Sequence, residues 1–137
     1  RTTEAYLNRA EAYAQLYATK NSPADAQRAL DDLNFIRQRR FSPANFQPLT
    51  MMPAAELLQF CRDERRREFF EENQRWFDLR RYGMPEIIHI YALFAEVQRF
   101  KLTKGDPAYT LLIPTDAIRL NPRLEQNPAA PPRNPFY

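Results

Sequence analysis

Apolar residues return at helical intervals through the first third of the chain. Tyr6, Ala10, Tyr13 and Tyr17 share one face of a segment from about Thr3 to Ala18, with Ala5, Ala12 and Ala14 close by. Small alanines let a second helix approach closely. That helix has a marked start at Ser22-Pro23-Ala24-Asp25. Ser22 caps, Pro23 stands where a missing N–H costs nothing, and Asp25 complements the positive end of the helix dipole. Ala26, Ala29, Leu30, Leu33 and Ile36 form its stripe, which fades near Arg39. The pattern predicts a tetratricopeptide-like helical hairpin over residues 1–40, a unit that buries its face only against neighbours.

Residues 41–137 begin with a proline-interrupted connection, Phe41 to Pro48. A third helix is expected over about 53–72, with Leu57, Leu58 and Cys61 as its buried stripe. Asn73 suits a left-handed stop. A short helix over 75–82 should end at Gly83. The run over 85–101, with Ile87, Ile88, Tyr91, Phe94 and Val97, reads as helix on its length. Beyond Thr103 lie seven of the 12 prolines, and the chain becomes an irregular strap. Within it, Thr110 to Ile113 reads as extended, and Thr115 to Leu120 as a turn or two of helix capped by Thr115. Leu124, Phe136 and Tyr137 are its apolar anchors. The expected fold class is mainly α: a tetratricopeptide-like helical hairpin packed on further helices, with an irregular Pro-rich C-terminal segment.

Composition narrows the function without naming it. With 137 residues the chain has the length of one ordinary domain, and 44% hydrophobic with 13% aromatic residues argues against disorder. A net charge of +3 is too small to argue for nucleic acid. Of the 20 cationic residues only Lys20, Lys101 and Lys104 are lysine; the other seventeen are arginine, the cation suited to fixed carboxylate pairs, although a high-GC genome that encodes arginine freely accounts for the excess equally well. Cys61 is the only cysteine, which excludes an intrachain disulfide and a cysteine zinc site. No run is long enough to span a membrane, and the residues from Arg1 are expected to form helix rather than a signal peptide. The chain starts at Arg1 rather than Met, and an excerpt of a longer protein is the expectation.

One stretch resembles a site. Continuing the third helix's stripe past Leu58 and Cys61 gives Arg65, Phe69 and Glu72, with Glu64 and Glu68 in line with Leu57. Charges thus occupy an angle that was apolar two turns earlier. Glu64 with Arg67 or Glu68, Arg65 with Glu68, and Arg67 with Glu71 have the spacing of intrahelical neighbours. Three readings compete: solvated surface charges, active-site acids and bases, or a partly buried Arg–carboxylate lattice tying the helix to its neighbours. Phe69, Phe70, Trp76 and Phe77 interleave with the charges and weigh against the first. The second lacks partners, since there is one histidine, His89, no nucleophile beside a base, and no glycine-rich phosphate loop. The lattice is the favoured reading, and no catalytic or metal-binding residue is assigned. Trp76 reads as core rather than as a sugar-stacking platform. Arg37-Gln38-Arg39-Arg40 reads as a helix C-terminus rather than a nucleic-acid patch.

These residues resemble a known signature. Glu64-Arg65-Arg66-Arg67-Glu68-Phe69, followed by Glu72-Asn73-Gln74-Arg75-Trp76-Phe77-Asp78-Leu79-Arg80-Arg81, is similar to that of the SusD/RagB family of outer-membrane nutrient-binding lipoproteins. Asn73 stands where the family has glycine. Glu11-Ala12-Tyr13, and Ala29-Leu30 through Leu33-Asn34 to Arg37 and Arg39, resemble the family's last tetratricopeptide-like hairpin. Leu112-Ile113-Pro114, Ile118, Asn121-Pro122 and Gln126-Asn127-Pro128 resemble its closing segment, although this chain runs on from Ala129 to Tyr137 instead of ending in Asn-Pro-Gly-Tyr.

The resemblance implies the C-terminal portion of one larger domain. It implies a non-enzymatic protein that binds a nutrient, above all oligosaccharide, at the bacterial outer-membrane surface. A SusC-like TonB-dependent transporter would be its partner and an N-terminal lipidated cysteine its anchor. Cys61, in mid-helix, cannot be that anchor. No cofactor, metal or nucleic acid is implied. The family's ligand contacts come largely from residues outside this chain, so no ligand-binding residue is carried over. A helical-repeat scaffold for protein–protein interaction is the alternative, and the upstream gene sequence distinguishes the two.

Overall fold

The structure, a computed structural model, describes residues 2–94 and 96–136. Helix α1 spans Thr2–Lys20, α2 Pro23–Arg37, α3 Ala54–Glu68 and α4 Gln74–Arg81. Strands β1 (Ile87–Leu93) and β2 (Glu96–Leu102) follow, then a 3₁₀ turn at Pro107–Tyr109 and a short helix, α5, at Thr115–Leu120. The chain separates into two compact units, Arg1–Glu72 and Asn73–Tyr137.

The first unit holds the hydrophobic core. Leu7, Ala10 and Ala14 of α1 meet Ala26, Ala29, Leu30, Leu33 and Ile36 of α2, and Leu57, Cys61 and Phe69 join them from α3 and its end. Every stripe residue expected in the second helix is buried. Tyr6, Tyr13 and Tyr17 sit one step around α1 and pack against the rim of the core. Four alanines, Ala10, Ala14, Ala26 and Ala29, explain the choice, because they bring the backbones together and leave the rings beside the contact. The α2 start is as the sequence predicts: Ser22 Oγ accepts from the Asp25 amide at 3.3 Å, with Pro23 in the first turn. Asn34 fastens the long connection after α2 by bonding both backbone groups of Leu49, at 2.7 and 3.0 Å.

Helix α3 stops at Glu68 rather than at residue 72. Glu71 and Asn73 both take positive φ, 61° and 59°, so the connection to α4 is a left-handed turn instead of a last helical turn. Asn73 tolerates that conformation better than most non-glycine residues. At the end of α4, Gly83 has φ 86° and the Met84 amide reaches back to the Leu79 carbonyl at 3.0 Å. This is the glycine stop the sequence predicts.

The helix expected over 85–101 is corrected: this segment is an antiparallel β-hairpin. Its register pairs Ile87 with Leu102, Ile90 with Arg99 and Leu93 with Glu96. Ile, Tyr, Phe and Val favour a pleated strand, and Phe94, with φ 52°, breaks the segment near its middle. Length alone misled the reading, since two strands of 7 residues span as much chain as one helix. The cap expected from Thr115 is also absent. Pro114 takes the capping position of α5 and makes no side-chain bond.

The strap is ordered by polar ties. The Gln126 side chain accepts from the Ile113 amide at 2.8 Å and donates to the Ile113 carbonyl at 2.9 Å, imitating a strand partner. Asn127 Nδ2 donates to the Leu111 carbonyl at 2.7 Å. The expected apolar anchors contribute little: Leu124 and Phe136 remain exposed, and Tyr137 lies outside the described residues.

Candidate functional site

The charged stretch that resembles a site is built into the first unit as a set of interhelical ties. Arg65 is 5% exposed and lies at the end of the α3 stripe. Its Nε faces Glu11 Oε2 of α1 at 3.6 Å, its Nη1 donates to Asn8 Oδ1, and its guanidinium covers the Phe69 ring. Glu64 accepts from Arg37 of α2 and from Arg67 of its own helix, each at 3.0 Å. Glu68 accepts from both Arg40 Nε and Arg40 Nη2. A further pair, Arg9 Nε to Asp32 Oδ2 at 2.8 Å, joins α1 to α2, with Asp32 buried. This bond and the nearby charge raise the Arg9 pKa above its ordinary value. The lattice reading therefore holds, but its main links run between helices.

The arginine run at the end of α2 is consumed in these contacts. Arg37 pairs with Glu64 and lies over Phe41 and Phe60. Arg39 stacks over Phe35 at 3.4 Å, and Arg40 pairs with Glu68. The sequence signal for these links was present: cations closing one helix and acids near the end of the next apolar stripe. Sequence reading placed the pairs along α3 because spacing is visible there and partners across helices are not.

The four aromatics of the signature divide. Phe69 is buried against the core, whereas Phe70 and Phe77 are exposed, correcting the expectation that the rings shield the charges together. Trp76 is half-buried and stacks on Tyr109 at 5.0 Å between centroids. Tyr109 is fully buried, donates to the Pro85 carbonyl at 2.6 Å, and has its pKa raised by burial. In the second unit Asp78 accepts from Arg81 Nε at 2.9 Å. Buried Asp106 accepts from Arg133 at 2.6 Å, from the Ala108 amide at 2.9 Å and from Thr103 at 3.1 Å. The Arg133 bond, then the amide, holds its carboxyl well below the usual carboxylate range, against the opposing pull of burial.

Cys61 is fully buried, and burial with Glu11 nearby pushes its thiol up to about 12. Such a thiol is a poor nucleophile. His89 lies exposed on β1, not on a helix, and no group of three or more His, Cys, Asp or Glu among the described residues could hold a metal. An open hollow of about 480 Å³ is lined by Asp63, Arg66, Arg67 and Phe70. It offers two guanidinium groups, one carboxylate and one exposed ring, features that can hold a polar ligand. No helix of the described residues is long and apolar enough to cross a membrane.

In the first unit a helical hairpin is tied to a third helix through arginine–carboxylate pairs, and in the second a closing segment is held by polar ties. The sequence profile of the SusD family matches residues 1–129, and the chain belongs to that family. A crystal structure of a SusD-like protein from Bacteroides fragilis NCTC 9343 is similar at 30% sequence identity and a TM-score of 0.60. The match covers 93% of this chain and 24% of that one, so the chain spans about a quarter of the relative's length. No curated protein matches. The family comprises nutrient-binding proteins of polysaccharide uptake, outer-membrane surface lipoproteins that work with SusC-type transporters.

Proposed function

We propose that this chain is the C-terminal portion of a surface nutrient-binding protein, which takes up oligosaccharide non-enzymatically and passes it to a SusC-like TonB-dependent outer-membrane transporter. The family match over residues 1–129 carries the reading. The charges of Glu64 to Arg81 support it, because those facing the core are engaged in pairs rather than poised beside a substrate. Ile88, Ile90, Leu93, Phe94 and Val97 stand exposed on the second unit. That much open apolar surface suits a segment covered by the rest of a larger domain. The membrane anchor and the ligand contacts then belong to that remaining part.

The test is calorimetry on the whole gene product and on residues 1–137, titrated with oligosaccharides of the polysaccharide that induces the gene. The whole product should bind and the shorter chain should bind weakly or not at all. Co-purification with a TonB-dependent transporter from outer membranes is the second expected result. Hydrolysis of the oligosaccharide, or a gene product that begins in the cytoplasm with further helical repeats, would overturn the reading.

A further inference from the structure

The family match stops at residue 129, yet the chain beyond it is specifically placed. Arg133 uses one guanidinium for two jobs: Nη2 pairs with buried Asp106 at 2.6 Å, and Nη1 donates to the Lys101 carbonyl at 2.9 Å. Three residues on, the Phe136 amide donates to the Arg99 carbonyl at 2.9 Å and forms an antiparallel bridge with that residue. Arg99 and Lys101 are two apart on β2, so their carbonyls face the same way. Both accept from the terminal segment, which places them on the edge of β2 turned away from β1. Asp106 does not depend on Arg133 for its position, being fixed by the Ala108 amide and Thr103 just after the strand.

We propose that residues 130–136 act as an intramolecular edge strand, closing the outer edge of β2 and locked there by the Asp106–Arg133 pair. An open edge of this kind presents a row of unpaired N–H and C=O groups to strands of other molecules. The hairpin is short, and its β2 side chains Val97, Arg99 and Lys101 are exposed, so packing alone defends that edge poorly. A polar lock suits the position because the strap has little apolar surface buried. A guanidinium fork can hold a carboxylate and a carbonyl at once, which a lysine cannot do with the same geometry.

Hydrogen exchange by NMR on the intact protein tests this. The Phe136 amide should exchange at least about tenfold more slowly than an unstructured amide, as expected for a locally closed hydrogen bond. Arg133→Ala should abolish that protection, and Arg133→Lys should retain part of it. Ending the chain after Ala129 leaves the Gln126 and Asn127 ties in place and should speed exchange of the Arg99 amide, which faces the same side as its carbonyl. Unprotected Phe136 in the parent, or unchanged protection in Arg133→Ala, would overturn the lock. An Arg99 amide indifferent to the truncation would overturn the edge closure.

Discussion

The two units of this chain solve the same problem by different means. Residues 1–72 bury eleven apolar side chains in one cluster, and their charged residues are fixed around it. Among the described residues of 73–136, Leu79 and Tyr109 are the buried apolar ones, while twelve of the fifteen large exposed hydrophobics described in the chain lie there. The first unit places several of its ion pairs at the edge of the core, where Arg9–Asp32, Arg37–Glu64 and Arg65–Glu11 also set how helices meet. The second uses them, with amide side chains, to fasten loops that have little core to hold them. Removing a partner from a low-dielectric site therefore costs more than removing one from a fastened loop.

The largest expected effect breaks the first unit at its charged tie. Arg65→Ala should cost about 3–5 kcal/mol in denaturant unfolding, because it removes the cation beside buried Glu11. Replacing Glu11 and Arg65 together by apolar residues should recover much of that loss. A shift near zero in the single variant would show these charges to be solvated. Next, Leu30→Ala should cost about 2–5 kcal/mol, as a fully buried leucine does. Leu120→Ala in the second unit, at 79% exposure, should stay within about 0.5 kcal/mol. Equal losses at the two leucines would erase the contrast between the units.

Smaller effects sharpen it. Arg40 pairs with Glu68 but is more than half exposed, so Arg40→Ala should cost under about 1 kcal/mol and less at high salt. For Asp106 the direction with pH follows from its lowered pKa. Its contribution is present above the unfolded carboxylate value of about 3.9 and is lost as pH falls through the folded value. Protection of the Phe136 amide should accordingly be level from neutral pH down to about 4 and fail only in stronger acid. Loss of protection between pH 5 and 7 would mean another group controls the segment.

Much of the first unit was legible because local physics and tertiary packing agree there. The Ser22 cap and the α2 stripe are short-range features, set by neighbours along the chain. The hairpin at 87–102 was not legible: its apolar residues satisfy a helical and a strand pattern about equally, and cross-strand pairs such as Ile90 with Arg99 decide between them. The signature pointed to the right residues of α3 and to a lattice, but not to Glu11, Asn8, Arg37 and Arg40 as its members. The strap was expected to anchor through Leu124 and Phe136; instead Gln126, Asn127 and Arg133 hold it, because a side-chain amide or guanidinium can replace a missing strand partner.

By itself the amino-acid order determined where α2 begins, which of its residues face inward, and the family to which the chain belongs. Those properties depend on neighbours within a few residues or on a linear signature. Tertiary structure decided which arginine meets which carboxylate, that Phe70 and Phe77 face outward while Phe69 does not, and that Arg133 and Phe136 reach carbonyls of β2. Such choices are made between segments distant in sequence. Their free energies come from burial and geometry that exist only after the chain has folded.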